Sequence, residues 1–110
     1  MNKAKILELI KHIQENLTDD LRLPKYRGPN KMSGYCYVAS EALYHLLDRK
    51  PTPMQIKHNG ISHWYLMIDN EVVDITVEQF DTVPDYMKGR RRGFLTSAPS
   101  KRAQKLMDKL

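Results

Sequence analysis

Two turn signals constrain the fold of this chain more than any other feature. Asn59-Gly60 and Asp69-Asn70 bracket the run Ile61–Ile68. Asn-Gly is the strongest short hairpin signal, because its residues tolerate the positive φ that a two-residue hairpin turn needs. Met54–His58, Ile61–Ile68 and Glu71–Thr76 are therefore expected to form a three-strand antiparallel meander. A two-residue loop at 69–70 also sets register: Ile68 faces Glu71, Met67 faces Val72, and His63 lies across from Thr76. Asp74 then becomes the diagonal neighbour of His63 on the same face. Diagonal side chains start about 7–8 Å apart, within reach of an imidazole and a carboxylate. An odd loop length would turn Asp74 to the other face.

Helical periodicity flanks the meander. Ile6, Leu7, Leu9, Ile10, Ile13 and Leu17 recur at helical spacing over residues 3–17, with charged residues between them. Residues 18–33 are rich in Pro, Gly, Asp, Asn and Lys and read as a long loop. Residues 35–47 form a second predicted helix whose Cys36, Ala39, Leu43 and Leu46 or Leu47 share a face, with Ser33 as N-cap and Gly34 allowing close approach. Residues 77–98 read as irregular apart from a short turn at 77–80, and Ala98–Leu110 reads as a closing helix with Ser97 or Ser100 near its start. The fold class expected is α+β: N-terminal helices packed on a small antiparallel sheet, with a C-terminal helix.

At 110 residues a single domain spanning 1–110 is expected, with a small core. Charged residues at 28% and hydrophobic ones at 41% fit a globular chain rather than a disordered one. No apolar run approaches the ~20 residues needed to cross a bilayer. The opening residues break into charge too soon for a secretory signal, so a cytoplasmic location is expected (host cytoplasm for a phage-encoded chain) and membrane association is not. The net charge of +5 is uneven. Residues 88–110 carry eight basic side chains against one acid, a net of +7, leaving −2 for residues 1–87. An acidic partner or nucleic acid would meet that basic segment first.

The chain has one cysteine, which excludes an intrachain disulfide and an all-cysteine metal site. A thiol near pKa 8.5 is only slightly ionised at neutral pH, and both a helix N-terminus and a nearby imidazolium favour the thiolate. Cys36 is placed for the first effect and His63 for the second, with Asp74 fixing the histidine tautomer. The Cys36 backbone N–H is a natural oxyanion donor, and the Asn30 side-chain amide, six residues earlier, is a second candidate. The bland alternatives are a buried cysteine acting as a small hydrophobe, a half-buried strand histidine and an aspartate capping a turn. Trp64 falls on the face opposite His63 and reads as core, while His45 and His58 read as surface or packing residues. No metal-ligand spacing and no cofactor motif is present, so neither group is expected.

The pattern Gly34-Tyr35-Cys36, Ser62-His63-Trp64 and Asp74-Ile75-Thr76 resembles the papain-like superfamily, especially its transglutaminase-like branch. There a cysteine at a helix N-terminus precedes a strand histidine with a tryptophan nearby and then an Asp-Pro-Thr-type motif. Ile75 stands here in place of the proline. Tyr35–Phe80, Gly93-Phe94-Leu95-Thr96 and Pro99-Ser100-Lys101-Arg102-Ala103 also resemble a small uncharacterised family of phages and bacteria, over most of residues 26–107. The superfamily resemblance implies a minimal papain-like or transglutaminase-like core and a catalytic Cys36-His63-Asp74 triad. A thiol hydrolase or acyltransferase acting on an amide, peptide or isopeptide-type bond is the function expected, with a peptide or protein as substrate. At this size the groove walls of larger papain-like enzymes must be reduced.

The rival reading is non-enzymatic: a phage-type modulator of a host factor, or a binder of nucleic acid or an acidic partner, with a vestigial triad. It rests on Arg90, Arg91 and Arg92 between Gly89 and Gly93, since arginine forks suit phosphate and carboxylate. No helix-turn-helix, zinc-finger or RNP-type aromatic motif accompanies them.

Overall fold

The computed structural model describes residues 2–21, 35–58, 60–77 and 82–110. The architecture is α+β, with three α-helices and a four-strand antiparallel sheet. Helix α1 spans Lys3–Glu15, α2 Cys36–Leu46 and α3 Lys101–Met107; the strands are β1 Thr52–His58, β2 Ile61–Ile68, β3 Glu71–Val73 and β4 Arg90–Arg91. Strand order is β3-β2-β1-β4. Among the described residues no helix is long and apolar enough to cross a membrane.

The two turns behave as their residues dictate. Ile68 pairs with Glu71 and Met67 with Val72, while His58 pairs with Ile61. Asp69 and Asn70 take φ of 50° and 65°, the left-handed pair of a tight hairpin turn that Asp and Asn tolerate best after Gly. The meander is therefore in the register read from the sequence, with one difference. Pairing of β3 stops at Leu66↔Val73, so Thr76 does not join a ladder opposite His63. Asp74 instead leaves the sheet just after the last paired residue.

The helices bury their apolar stripes on one side of the sheet. Ile13 of α1, Val38, Ala39, Ala42 and Leu43 of α2, and Ala103 and Leu106 of α3 form one core with Leu66 and Ile75. Asn2 caps α1 by accepting from the Lys5 N–H, and Ser100 caps α3 by accepting from the Ala103 N–H. Helix α1 also pins β3. The Lys3 ammonium meets Glu71 at 2.9 Å, and the Gln14 amide donates to the Ile75 carbonyl at 3.0 Å, one residue past Asp74. Glu41 is fully buried in α2 and accepts from both the backbone N–H (2.8 Å) and the hydroxyl (2.6 Å) of Ser100, locking the start of α3 onto α2.

The other side of β2 is also covered. By strand alternation Trp64 and Leu66 point one way and His63 and Tyr65 the other, yet all four are buried. Trp64 stacks on Phe94 and meets Tyr37 of α2 edge to face, at centroid separations of 5.4 and 4.9 Å, so it is a core residue. Tyr65 lies under the segment 85–89. The region expected to be irregular thus contains a 3-10 turn at Tyr86–Lys88 and the two-residue edge strand β4, whose Arg90 and Arg91 pair with Gln55 and Met54.

Candidate active site

Cys36 is the first residue of α2 and is partly exposed. The helix N-cap is Tyr35, whose side chain makes no capping bond; Ser33, the cap expected from the sequence, lies outside the described residues, as do Gly34 and the oxyanion candidate Asn30. The Cys36 N–H is one of the four leading amides that no intrahelical carbonyl can satisfy. Together with the helix dipole these amides create positive potential at the sulfur and at any oxygen held beside it. The hydroxyl of Ser40, one turn further on, donates to the Trp64 carbonyl at 3.3 Å, which brings the start of α2 against β2.

His63 is 0% exposed and sits between two partners. Its Nε2 lies 2.7 Å from Asp74 Oδ2, and the Cys36 thiol lies near enough to the ring to influence its charge. Burial by itself would lower the imidazole pKa. The hydrogen bonds to Asp74 and then to Cys36, with the negative charge on each, outweigh it and push the pKa up to about 9. The structure thus brings Cys36, His63 and Asp74 together. The short β3 is what allows it: Asp74 turns to the ring from beyond the ladder, while Ile75 anchors in the core and holds the carboxylate in place.

One member of the site escaped sequence reading. The Tyr86 hydroxyl donates to Asp74 Oδ2 at 2.6 Å, so one carboxylate oxygen receives both Tyr86 and the histidine. The Asp74 side chain is only 4% exposed. Burial, followed by the bond to Asp74, raises the Tyr86 pKa and keeps the phenol protonated as a donor. Tyr86 is held in turn by the Tyr65 hydroxyl, which donates to its carbonyl at 3.1 Å, and by edge-to-face packing of the two rings at 4.9 Å. Asp85 starts the local turn by accepting from the Met87 N–H. Gly89 closes it: a Cβ there would overlap the Tyr65 hydroxyl oxygen. The sequence signal was Asp85 ahead of Tyr86, a capped turn too short to show periodicity.

The remaining candidates fall elsewhere. Arg90, Arg91 and Arg92 lie at the opposite sheet edge from β3 and do not touch the triad; with Lys57 and Lys88 they line a cleft of about 500 Å³. His58 Nε2 lies 3.5 Å from the Thr82 hydroxyl, and His45 packs against Tyr44. No cluster of three or more metal-ligating side chains occurs among the described residues.

A family model described as YunG protein matches residues 2–109, and the chain therefore belongs to the YunG protein family. No curated protein and no solved structure matches it.

Proposed function

We propose that this YunG-family chain is a thiol hydrolase or acyltransferase acting on an amide, peptide or isopeptide-type bond. One observation carries the reading: a fully buried imidazole bonded through Nε2 to Asp74, with the thiol of a helix-leading cysteine near enough to raise its pKa. An imidazole that needs only to pack has no use for two such partners. This order of groups is what a thiolate–imidazolium pair requires.

The chemistry follows from the groups present. With the thiol proton on His63, the Cys36 sulfur attacks the acyl carbon and the carbonyl π electrons move to oxygen. The leading amides of α2, the Cys36 N–H among them, face that developing charge. When the oxyanion collapses, the C–N bond breaks and His63 passes its proton to the departing amine. The acyl group remains as a thioester. Water, or an acceptor amine, then gives a proton to His63 as it attacks the thioester carbon, and the C–S bond breaks to restore the thiol form. Asp74 keeps a proton on Nε2 and stabilises the imidazolium, while Tyr86 is a positioning residue that fixes the carboxylate. Hydrolysis and transfer differ only in the second nucleophile.

The test is the rate at which iodoacetamide alkylates Cys36 as a function of pH. The expected result is a rate at pH 6–7 on the order of tenfold above a free thiol, lost in His63→Ala. A rate equal to a free thiol, unchanged in His63→Ala, would leave the fold with a vestigial triad and favour a non-enzymatic binding role.

A further inference from the structure

We infer that the basic cleft at the β1–β4 edge is a substrate subsite that takes the acidic flank of the acyl donor, a peptide or protein segment bearing Asp or Glu beside the reacting carbonyl. This rests on the thiol acyl-transfer reading and adds a substrate class to it.

The cleft, of about 500 Å³, is lined by five cations and no carboxylate: Lys57, Lys88, Arg90, Arg91 and Arg92. All five are exposed, and none forms an ion pair among the described residues, whereas Lys3, Lys105 and Lys109 elsewhere each meet an acid. Charged side chains on an edge strand guard it against pairing with other strands, and that alone accounts for Arg90 and Arg91. It does not account for Lys57 from β1 and Lys88 from the turn before β4 converging on the same space.

The cleft is built on the same frame as the triad. Ile56, part of its wall, is the direct cross-strand partner of His63. Arg91 pairs with Met54, which pairs with Tyr65, so Arg91 lies two strand spacings from Tyr65, about 10 Å. That is the span of about three extended residues. A single segment connects the two sites: Tyr86 reaches Asp74, Gly89 rests on Tyr65, and Lys88 and Arg90–Arg92 face the cleft. Guanidinium forks match carboxylates bidentately. The lining offers no aromatic platform on which nucleic-acid bases could stack.

The experiment compares alkylation of Cys36 by two chloroacetyl peptides of equal length, one with a tail of four glutamates and one with four serines. In each the sulfur displaces chloride and the tail only positions the probe. The native chain should react with the glutamate probe on the order of tenfold faster at low salt, the preference shrinking at high salt. The variant R90Q/R91Q/R92Q should lose the preference while keeping its rate with iodoacetamide. The charge-matched variant K5Q/K11Q/K101Q should retain the preference, since these lysines lie on α1 and α3. Equal rates for both probes, or equal loss in the two variants, would overturn the subsite. Protection of Cys36 from the glutamate probe by an oligothymidylate but not by a hexaglutamate would reassign the cleft to nucleic acid and overturn it as well. Iodoacetamide reactivity that ignores His63→Ala would instead sink the triad reading, a result independent of the tail preference.

Discussion

Neutralising Asp74 should change the pH dependence of stability, not only its level. In Asp74→Asn the side chain keeps its shape and can still meet His63 and Tyr86, but the charge is gone. In the native chain His63 is raised from 6.5 to about 9 in the folded state. A group whose folded pKa is raised contributes stability that is fully present below its unfolded pKa and is lost as pH climbs through the folded one. The gap between 6.5 and about 9 corresponds to about 3 kcal/mol, present at pH 6 and gone above about pH 9. Without the carboxylate, burial becomes the dominant influence on the ring and holds it neutral, so His63 then opposes folding as pH falls below 6.5. The stability gap between native and Asp74→Asn should therefore be widest near pH 6 and narrow steadily towards pH 9. Any pH-independent loss from imperfect amide geometry adds a constant offset to it.

Urea unfolding of both proteins at pH 6, 7, 8, 9 and 10 measures that gap directly. Reactivity supplies a second readout. Losing the imidazolium partner of Cys36 should slow iodoacetamide alkylation at pH 7 by on the order of tenfold. A stability gap that is flat from pH 6 to 10 would refute the claim that Asp74 holds a proton on His63.

Three further perturbations follow from the same contacts. Tyr86→Phe removes one of two donors from a buried carboxylate oxygen and should lower stability by about 1–3 kcal/mol in denaturant melts; an unchanged midpoint would remove Tyr86 from the site. Gly89→Ala forces Tyr65 or the turn to move, because the new methyl overlaps the Tyr65 hydroxyl, and should cost about 1–3 kcal/mol by the same assay and slow Cys36 alkylation. Glu41→Ala strands the Ser100 N–H and hydroxyl against α2, and should cost about 2–4 kcal/mol with far-ultraviolet circular dichroism showing loss at α3, while His63-dependent alkylation survives until the protein unfolds.

The parts of this molecule legible in its sequence are those governed by local rules. Asn59-Gly60 and Asp69-Asn70 state their turn length in their own residues, and turn length fixes register, so the side-by-side placing of His63 and Asp74 could be read without coordinates. The helix read over residues 35–47 was equally plain from its apolar repeat, and it runs Cys36–Leu46. The reading overshot where tertiary contacts decide. Glu71–Thr76 looks like a strand throughout, but Gln14 captures the Ile75 carbonyl and the core takes the Ile75 side chain, so pairing ends at Val73. Tyr86 and the pairing of Arg90 and Arg91 with β1 were invisible because both depend on where a non-periodic segment lands after crossing β2. Glu41 was passed over because a glutamate on a helix ordinarily faces water, and only Ser100, far along the chain, gives it a reason to be buried.

That crossing segment explains how so short a chain can dehydrate a charged pair. The apolar faces of the helices pack with Leu66 and Ile75, and a His63–Asp74 contact open to water would be a surface ion pair of little consequence. Residues 85–89 supply the missing cover: Tyr86 and Gly89 lie against Tyr65, and the ring of Tyr65 stacks beside His63 with centroids 6.4 Å apart. A single short turn thus replaces a second layer. The same burial that by itself disfavours the imidazolium also strengthens its attraction to Asp74, and the contact prevails with the Tyr86 hydroxyl, itself held by Tyr65, donating to the same carboxylate oxygen. Loosening this cover should therefore return His63 towards an ordinary surface histidine before it disturbs the helices, so in urea titration of the native chain loss of the His63-dependent rate of Cys36 alkylation should precede loss of helical signal.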